Sequence, residues 1–173
     1  SNWYYLYAAA LAELGFIVVT IDGHGTAYRN KTFVDASYGW IPSSNDAQDR
    51  ISGIRQLSKR DHDMDLDRVG IFGTDGAVGA VYGMLEHPDF YKVGISHALQ
   101  DSRIMTATWG EQYEEPESDH SHPHPEKLVG KLRGKLLLTH GLQDRMDHSA
   151  ATWRLIDALE KANKDFDMLI LPN

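Results

Sequence analysis

Cysteine is absent from all 173 residues. Without it the chain has neither a disulfide framework nor a thiolate nucleophile, and the absence suits cytosol and periplasm alike. Long apolar runs are missing too: none approaches the about 18 residues of a membrane-spanning helix. Basic residues are in deficit, with 17 Lys and Arg against 25 Asp and Glu and a formal net charge of −8. That balance argues against a nucleic-acid partner, whose phosphates call for a basic face. It argues equally against an anionic membrane surface. The opening SNWYYLYAAALAELG carries no basic stretch ahead of its apolar residues, so it reads as a helix and not as a secretory leader. A chain that opens directly into a helix reads as a piece of a longer one.

What is present is an ordinary globular composition, 42% hydrophobic and 24% charged. The length suits a single domain over residues 1–173, able to bury roughly 70% of its surface. Apolar residues at helical spacing run from Asn2 to Leu14, and Gly15 is a natural C-cap. The β-branched run FIVVTI, Phe16 to Ile21, predicts a strand buried on both faces. A glycine-rich loop, DGHGTAYRNKTF, follows. From Ser44 or Asn45 as N-cap a helix presents Ile51, Ile54 and Leu57. The charged connector KRDHDMDLD leads to a second strand at Arg68–Phe72, a helix from Gly76 to Glu86 and a third strand at Tyr91–His97. Residues 99–131 read as an irregular, acidic, proline-bearing segment. A fourth strand is predicted at Lys135–Thr139. After it come a helix over His148–Asn163, with Trp153, Ile156, Leu159 and Ala162 on one face, and a fifth strand at Phe166–Leu171.

Strands alternating with helices imply parallel pairing and a three-layer α/β architecture. Ligands of such sheets sit beyond the carboxyl ends of the strands. The residues expected there are Asp22, His24, Asp75, His97, His140 and Asp144. Asp75 lies in GTDGAVG, a tight turn between a strand and a helix, where its simplest role is a helix N-cap.

Several stretches in order resemble the catalytic domain of the prolyl oligopeptidase and dipeptidyl peptidase IV family of serine peptidases. LAELGFIVVTIDGHGTAYR is similar to that family's D-G-R-G-T-G-Y-R region, with His24 for Arg and Ala27 for Gly. RVGIFGTDGAVGA stands where the family has its nucleophile elbow. HPDFYKVGISHA, WGEQYEEP and GKLLLTHGLQDRMDHSAATWRLIDALEKANKDFDMLILP complete the likeness over nearly the whole chain.

The resemblance implies an α/β-hydrolase-like fold with a mostly parallel sheet of about five strands, short of its early strands and its last helix. It puts Asp75 in place of the serine nucleophile, assigns the oxyanion N–H to Gly76, and makes Asp144 the triad acid. Trp109, Glu111 and Tyr113 match the substrate-pocket wall. Ala77 and Val78 stand where the family has two glycines, and Val78 is bulky there. The family's oxyanion tyrosine and catalytic histidine fall outside the matched stretches, so a domain unable to catalyse is expected, a pseudoenzyme of a peptidase family. The alternatives are a non-catalytic peptide- or partner-binding module and a hydrolase with an aspartate nucleophile. Such aspartates form an ester that activated water cleaves.

No cofactor is expected. The implied partner is a short peptide, with no nucleic acid and no membrane, and a homo-oligomer fits the reading. His120, His122 and His124 in DHSHPHP alternate so that an extended chain projects them to one side, beside Asp119. They are metal-ligand types, but a solvated proline-rich loop accounts for them as well, and no metal site is predicted.

Overall fold

The computed structural model describes residues 2–36, 47–74, 78–100 and 124–172. Four strands lie side by side in chain order and all parallel: β1 (Val69–Gly73), β2 (Tyr91–His97), β3 (Lys135–Gly141) and β4 (Asp167–Leu171). Helices α1 (Asn2–Glu13), α2 (Lys31–Asp35) and α3 (Ala47–Ser58) precede them. Helix α4 (Val78–Glu86) joins β1 to β2, the short α5 (Pro125–Leu128) leads towards β3, and α6 (Ala150–Lys161) joins β3 to β4. Among the described residues no helix is long and apolar enough to cross a membrane.

Register and pleat sort the side chains. Gly73, Ser96 and Leu138 are paired across β1, β2 and β3, so they share a face with Ile71, Leu136 and His140. That face carries the core. Val81, Met84 and Leu85 of α4 and Leu155, Ile156 and Leu159 of α6 pack over it, with Ile51 of α3 at the edge. The crossover helices α4 and α6 both lie on this side, as parallel connections of one hand require. Gly94 and Gly134 make room for α4: a Cβ on Gly94 would stand 2.4 Å from Met84 Cγ. The opposite face holds Phe72, Ile95, Leu137 and Thr139 and is less covered, with Phe72 meeting Tyr7 of α1 at 5.9 Å between ring centroids.

Several expectations need correction. Phe16–Ile21 is not a strand. Its β-branched composition suits a sheet, but a strand exists only with a neighbour to bond, and among the described residues none pairs with it. Phe16 and Ile17 are exposed, while Ile21 packs against Gly53 of α3. The described sheet therefore has four strands. The loop after Ile21 holds a helix, α2, started by Asn30, whose Oδ1 accepts the Phe33 N–H at 2.9 Å. The segment read as irregular up to Lys131 contains α5, with Pro125 opening its first turn. Leu57 is 39% exposed and outside the core, although Ile51 and Ile54 pack into it. Trp153 is likewise exposed, because the buried stripe of α6 runs through Thr152, Leu155, Ile156 and Leu159. One residue after Thr152, it sits about 100° round the helix.

Candidate active site

The carboxyl ends of β1, β2 and β3 lie along one edge of the sheet, where the resemblance sets the catalytic residues. The loop after β3 is the best defined part of it. Asp144 N–H donates to Gly141 C=O at 3.2 Å, closing a turn. Asp144 Oδ1 then accepts two backbone N–H bonds, from Met146 at 2.9 Å and Asp147 at 3.0 Å. The Asp147 N–H does most to hold the Asp144 carboxyl below the usual carboxylate range. Partial burial pushes the other way, and the Met146 N–H and the nearby His140 and His97 imidazoles add to the lowering. Leu142 N–H donates to Leu171 C=O at 2.8 Å, tying the loop to the end of β4.

His140 holds this loop from beneath. It is fully buried on the core face. Its Nε2 lies 2.6 Å from the Asp147 carbonyl, which only accepts, so Nε2 carries a proton. Its Nδ1, 2.8 Å from Thr152 Oγ1, is left to accept that hydroxyl proton. A continuous chain results: Thr152 on α6, His140 on β3, the backbone C=O and N–H of Asp147, and the Asp144 carboxylate. Sequence reasoning missed Thr152 and Asp147. The available signal was spacing, since Thr152 is buried between Leu155 and Ile156 on the inner stripe of α6, directly under the end of β3.

The other histidines are also engaged. His97 ends β2, paired in register with Thr139, and its Nδ1 lies 2.6 Å from Thr139 Oγ1. Because Thr139 and His140 are consecutive in a strand, His97 lies on the face opposite His140. The two do not converge, contrary to what their shared position at strand ends suggests. His148 Nδ1 accepts the Ala150 N–H at 3.1 Å, capping the start of α6. His24 is bonded to Asp49 of α3, and Asp22 is exposed in the same loop.

Of the residues assigned by resemblance, Asp75, Gly76, Trp109, Glu111 and Tyr113 lie outside the described residues, as do His120 and His122. His124 stands at the N-terminal edge of α5, its C=O accepting the Lys127 N–H at 2.9 Å. Among the described residues no group of three or more His, Cys, Asp or Glu is placed to hold a metal ion.

A parallel sheet with this loop after its third strand matches known proteins. The prolyl oligopeptidase family matches over residues 2–173. The chain belongs to that family. Dipeptidyl peptidase 8 of Homo sapiens is 28% identical over 177 residues, covering 97% of this chain and 20% of that protein. Inactive dipeptidyl peptidase 10 of Mus musculus is 26% identical over 165 residues, covering 91% of this chain and 20% of that protein. The crystal structure of Porphyromonas gingivalis dipeptidyl peptidase 4 superimposes with a TM-score of 0.81 at 25% identity, over 95% of this chain and 24% of that one. The chain thus spans about one fifth of the length of the curated relatives it matches. Its fold is that of the family's α/β-hydrolase domain.

Proposed function

We propose that this prolyl oligopeptidase-family domain binds short peptides at the carboxyl edge of its sheet and does not cleave them by serine acyl transfer. The observation that carries the reading is Asp75, a carboxylate at the position of the serine nucleophile. A carboxylate has no hydroxyl to acylate, and losing a nucleophile costs several orders of magnitude in rate. The histidines support it: His140, His97 and His148 are engaged with Thr152 and Asp147, with Thr139, and with the start of α6. Asp144, the triad acid by resemblance, takes backbone N–H bonds instead. A relative named as inactive lies within the same similarity range. In this reading Trp109, Glu111 and Tyr113 line the peptide pocket, and Asp75 serves as a helix cap in place of a nucleophile.

Titration calorimetry with proline-containing di- and tripeptides, followed by chromatography of the same samples, tests it. Saturable binding, weakened in Trp109→Ala, with the peptide recovered intact is the expected result. Recovery of cleaved peptide overturns it.

A second reading has Asp75 as the nucleophile of an ester-forming hydrolase. It is favoured by the order strand, Asp75, helix in the sequence, since a carboxylate ahead of a helix is favoured as the anion by the helix dipole. Single turnover of a haloalkane or an epoxide, whose carbon the carboxylate attacks with release of halide or opening of the ring, then leaves label from H₂¹⁸O in the Asp75 carboxylate, and absence of label after complete turnover excludes it.

A further inference from the structure

The loop between Ile21 and α2 is fastened to α3 through His24 and Asp49. His24 contributes two donors to the same oxygen: its backbone N–H reaches Asp49 Oδ2 at 2.9 Å, and its ring Nδ1 is bonded to that atom as well. The imidazole also stacks on Phe33 of α2, with 4.7 Å between centroids and 24° between planes. Phe33 in turn closes the loop, its C=O accepting the Gly25 N–H at 2.9 Å. Thus one imidazole touches both α3 and α2. It remains 49% exposed, and Asp49 30% exposed, so protons reach the pair from solvent.

We propose that His24 and Asp49 form a pH-sensitive latch, which holds the loop over residues 22–36 against α3 when the imidazole is protonated and loosens when it is not. The charges packed round the imidazole favour this behaviour on balance. From α3 it faces Asp49, with Arg50 next along the helix. From α2 it faces Phe33, over whose ring the Arg29 guanidinium also lies, 4.4 Å from the centroid. Lys31 of α2 is neutralised by Asp35 at 2.5 Å. The directly bonded group is the carboxylate; Arg29 reaches the site only through the Phe33 ring. Protonated, the imidazole gives a charge-assisted bond, about twice as strong as a neutral one. Neutral, it offers Asp49 either an uncharged N–H or a lone pair, and the lone pair repels the carboxylate. Imidazole is the side chain that ordinarily changes charge near neutral pH. Asp49 stays ionised well into acid. Burial, the largest single influence, raises it, but the backbone and ring bonds from His24 and the charges of His24 and Arg50 together lower it. The latch is therefore closed in mild acid and opens as pH rises.

The absence of cysteine makes a single label clean. Ala27, exposed in this loop, is replaced by Cys and carries a nitroxide. Its spectrum is recorded from about pH 5 to about pH 8, spanning the ordinary imidazole range. The mobile fraction is expected to rise about two- to fivefold over that range, the scale of one exposed ion pair. With His24→Arg, permanently charged, the label stays immobile throughout. With Asp49→Asn it stays mobile throughout. Far-UV circular dichroism of each variant confirms that it is folded. A flat profile in the parent, or the same rise in either variant, overturns the latch.

Discussion

His140 and Asp144 are joined through the backbone of a single residue, Asp147. The His140 ring donates to the Asp147 carbonyl at 2.6 Å, and the Asp147 N–H donates to the Asp144 carboxylate at 3.0 Å. The buried imidazole therefore positions the acid without touching it, and Thr152 fixes the ring from the other side. This explains how a loop on the surface keeps one geometry: its anchor lies in the core.

Removing the anchor is expected to be costly. His140→Ala leaves the Asp147 carbonyl and the Thr152 hydroxyl without their buried partner, for a loss of roughly 2–4 kcal/mol. Urea unfolding measures it. NMR titration of the same variant is expected to move the Asp144 carboxyl back towards the ordinary aspartate value. An unchanged Asp144 titration contradicts the positioning role.

Asp144 also gives the fold a pH limb. Its carboxyl is held low mainly by the Asp147 N–H, with the Met146 N–H and the nearby His140 and His97 imidazoles adding to this against partial burial. A group with a lowered folded value contributes stability above its unfolded value, near 3.9 for aspartate. That contribution is lost as pH falls through the lower folded value. Asp144→Asn is expected to be less stable than the parent near neutral pH and to approach it below about pH 3. Melting temperatures of the two proteins across that range check the convergence.

The start of α6 can be improved. His148 caps it through Nδ1 at 3.1 Å from the Ala150 N–H. Aspartate at that position offers a stronger acceptor and a charge that suits the helix N-terminus. His148→Asp is expected to stabilise by about 0.5–1 kcal/mol. The gain should vanish in acid as the new carboxylate protonates. Chemical denaturation at two pH values reads both effects.

Glycine matters at Gly134 for a steric reason. A Cβ there would lie 2.4 Å from the Lys92 carbonyl oxygen and 2.7 Å from Met84 Cε, so backbone would have to move. Gly134→Ala is expected to cost about 1–3 kcal/mol. Gly130 is the control: a Cβ on it would meet nothing within 4 Å, so Gly130→Ala should be near neutral. Equal losses in the two variants contradict the close approach of β2 to the turn before β3.

Much of the architecture is legible in the sequence, for physical reasons. Strands β2 and β3 and helix α6 carry strong periodicity with buried partners, and their predicted places agree with the structure to within two residues at each end. Phe16–Ile21 is misread because strand propensity is local while pairing is not. Trp153 is misread because its three-residue spacing from Ile156 admits it to the apolar face, whereas the buried stripe is set by Thr152, Leu155, Ile156 and Leu159. At the site, Asp144 is legible from its place after a strand in HGLQD. The role of His140 is not, since it depends on a carbonyl seven residues on and a hydroxyl twelve residues on. Nor is the separation of His97 and His140, which follows only from the register of β2 on β3.

Fluorophosphonate labelling, read by peptide mass spectrometry, decides whether this domain performs serine chemistry. Such probes need an activated serine hydroxyl, and Asp75 offers none. No adduct is expected on the parent protein under conditions that label an active serine peptidase to completion. An adduct on a serine of this domain would contradict the assignment of Asp75 to the nucleophile position of a domain that does not cleave peptides.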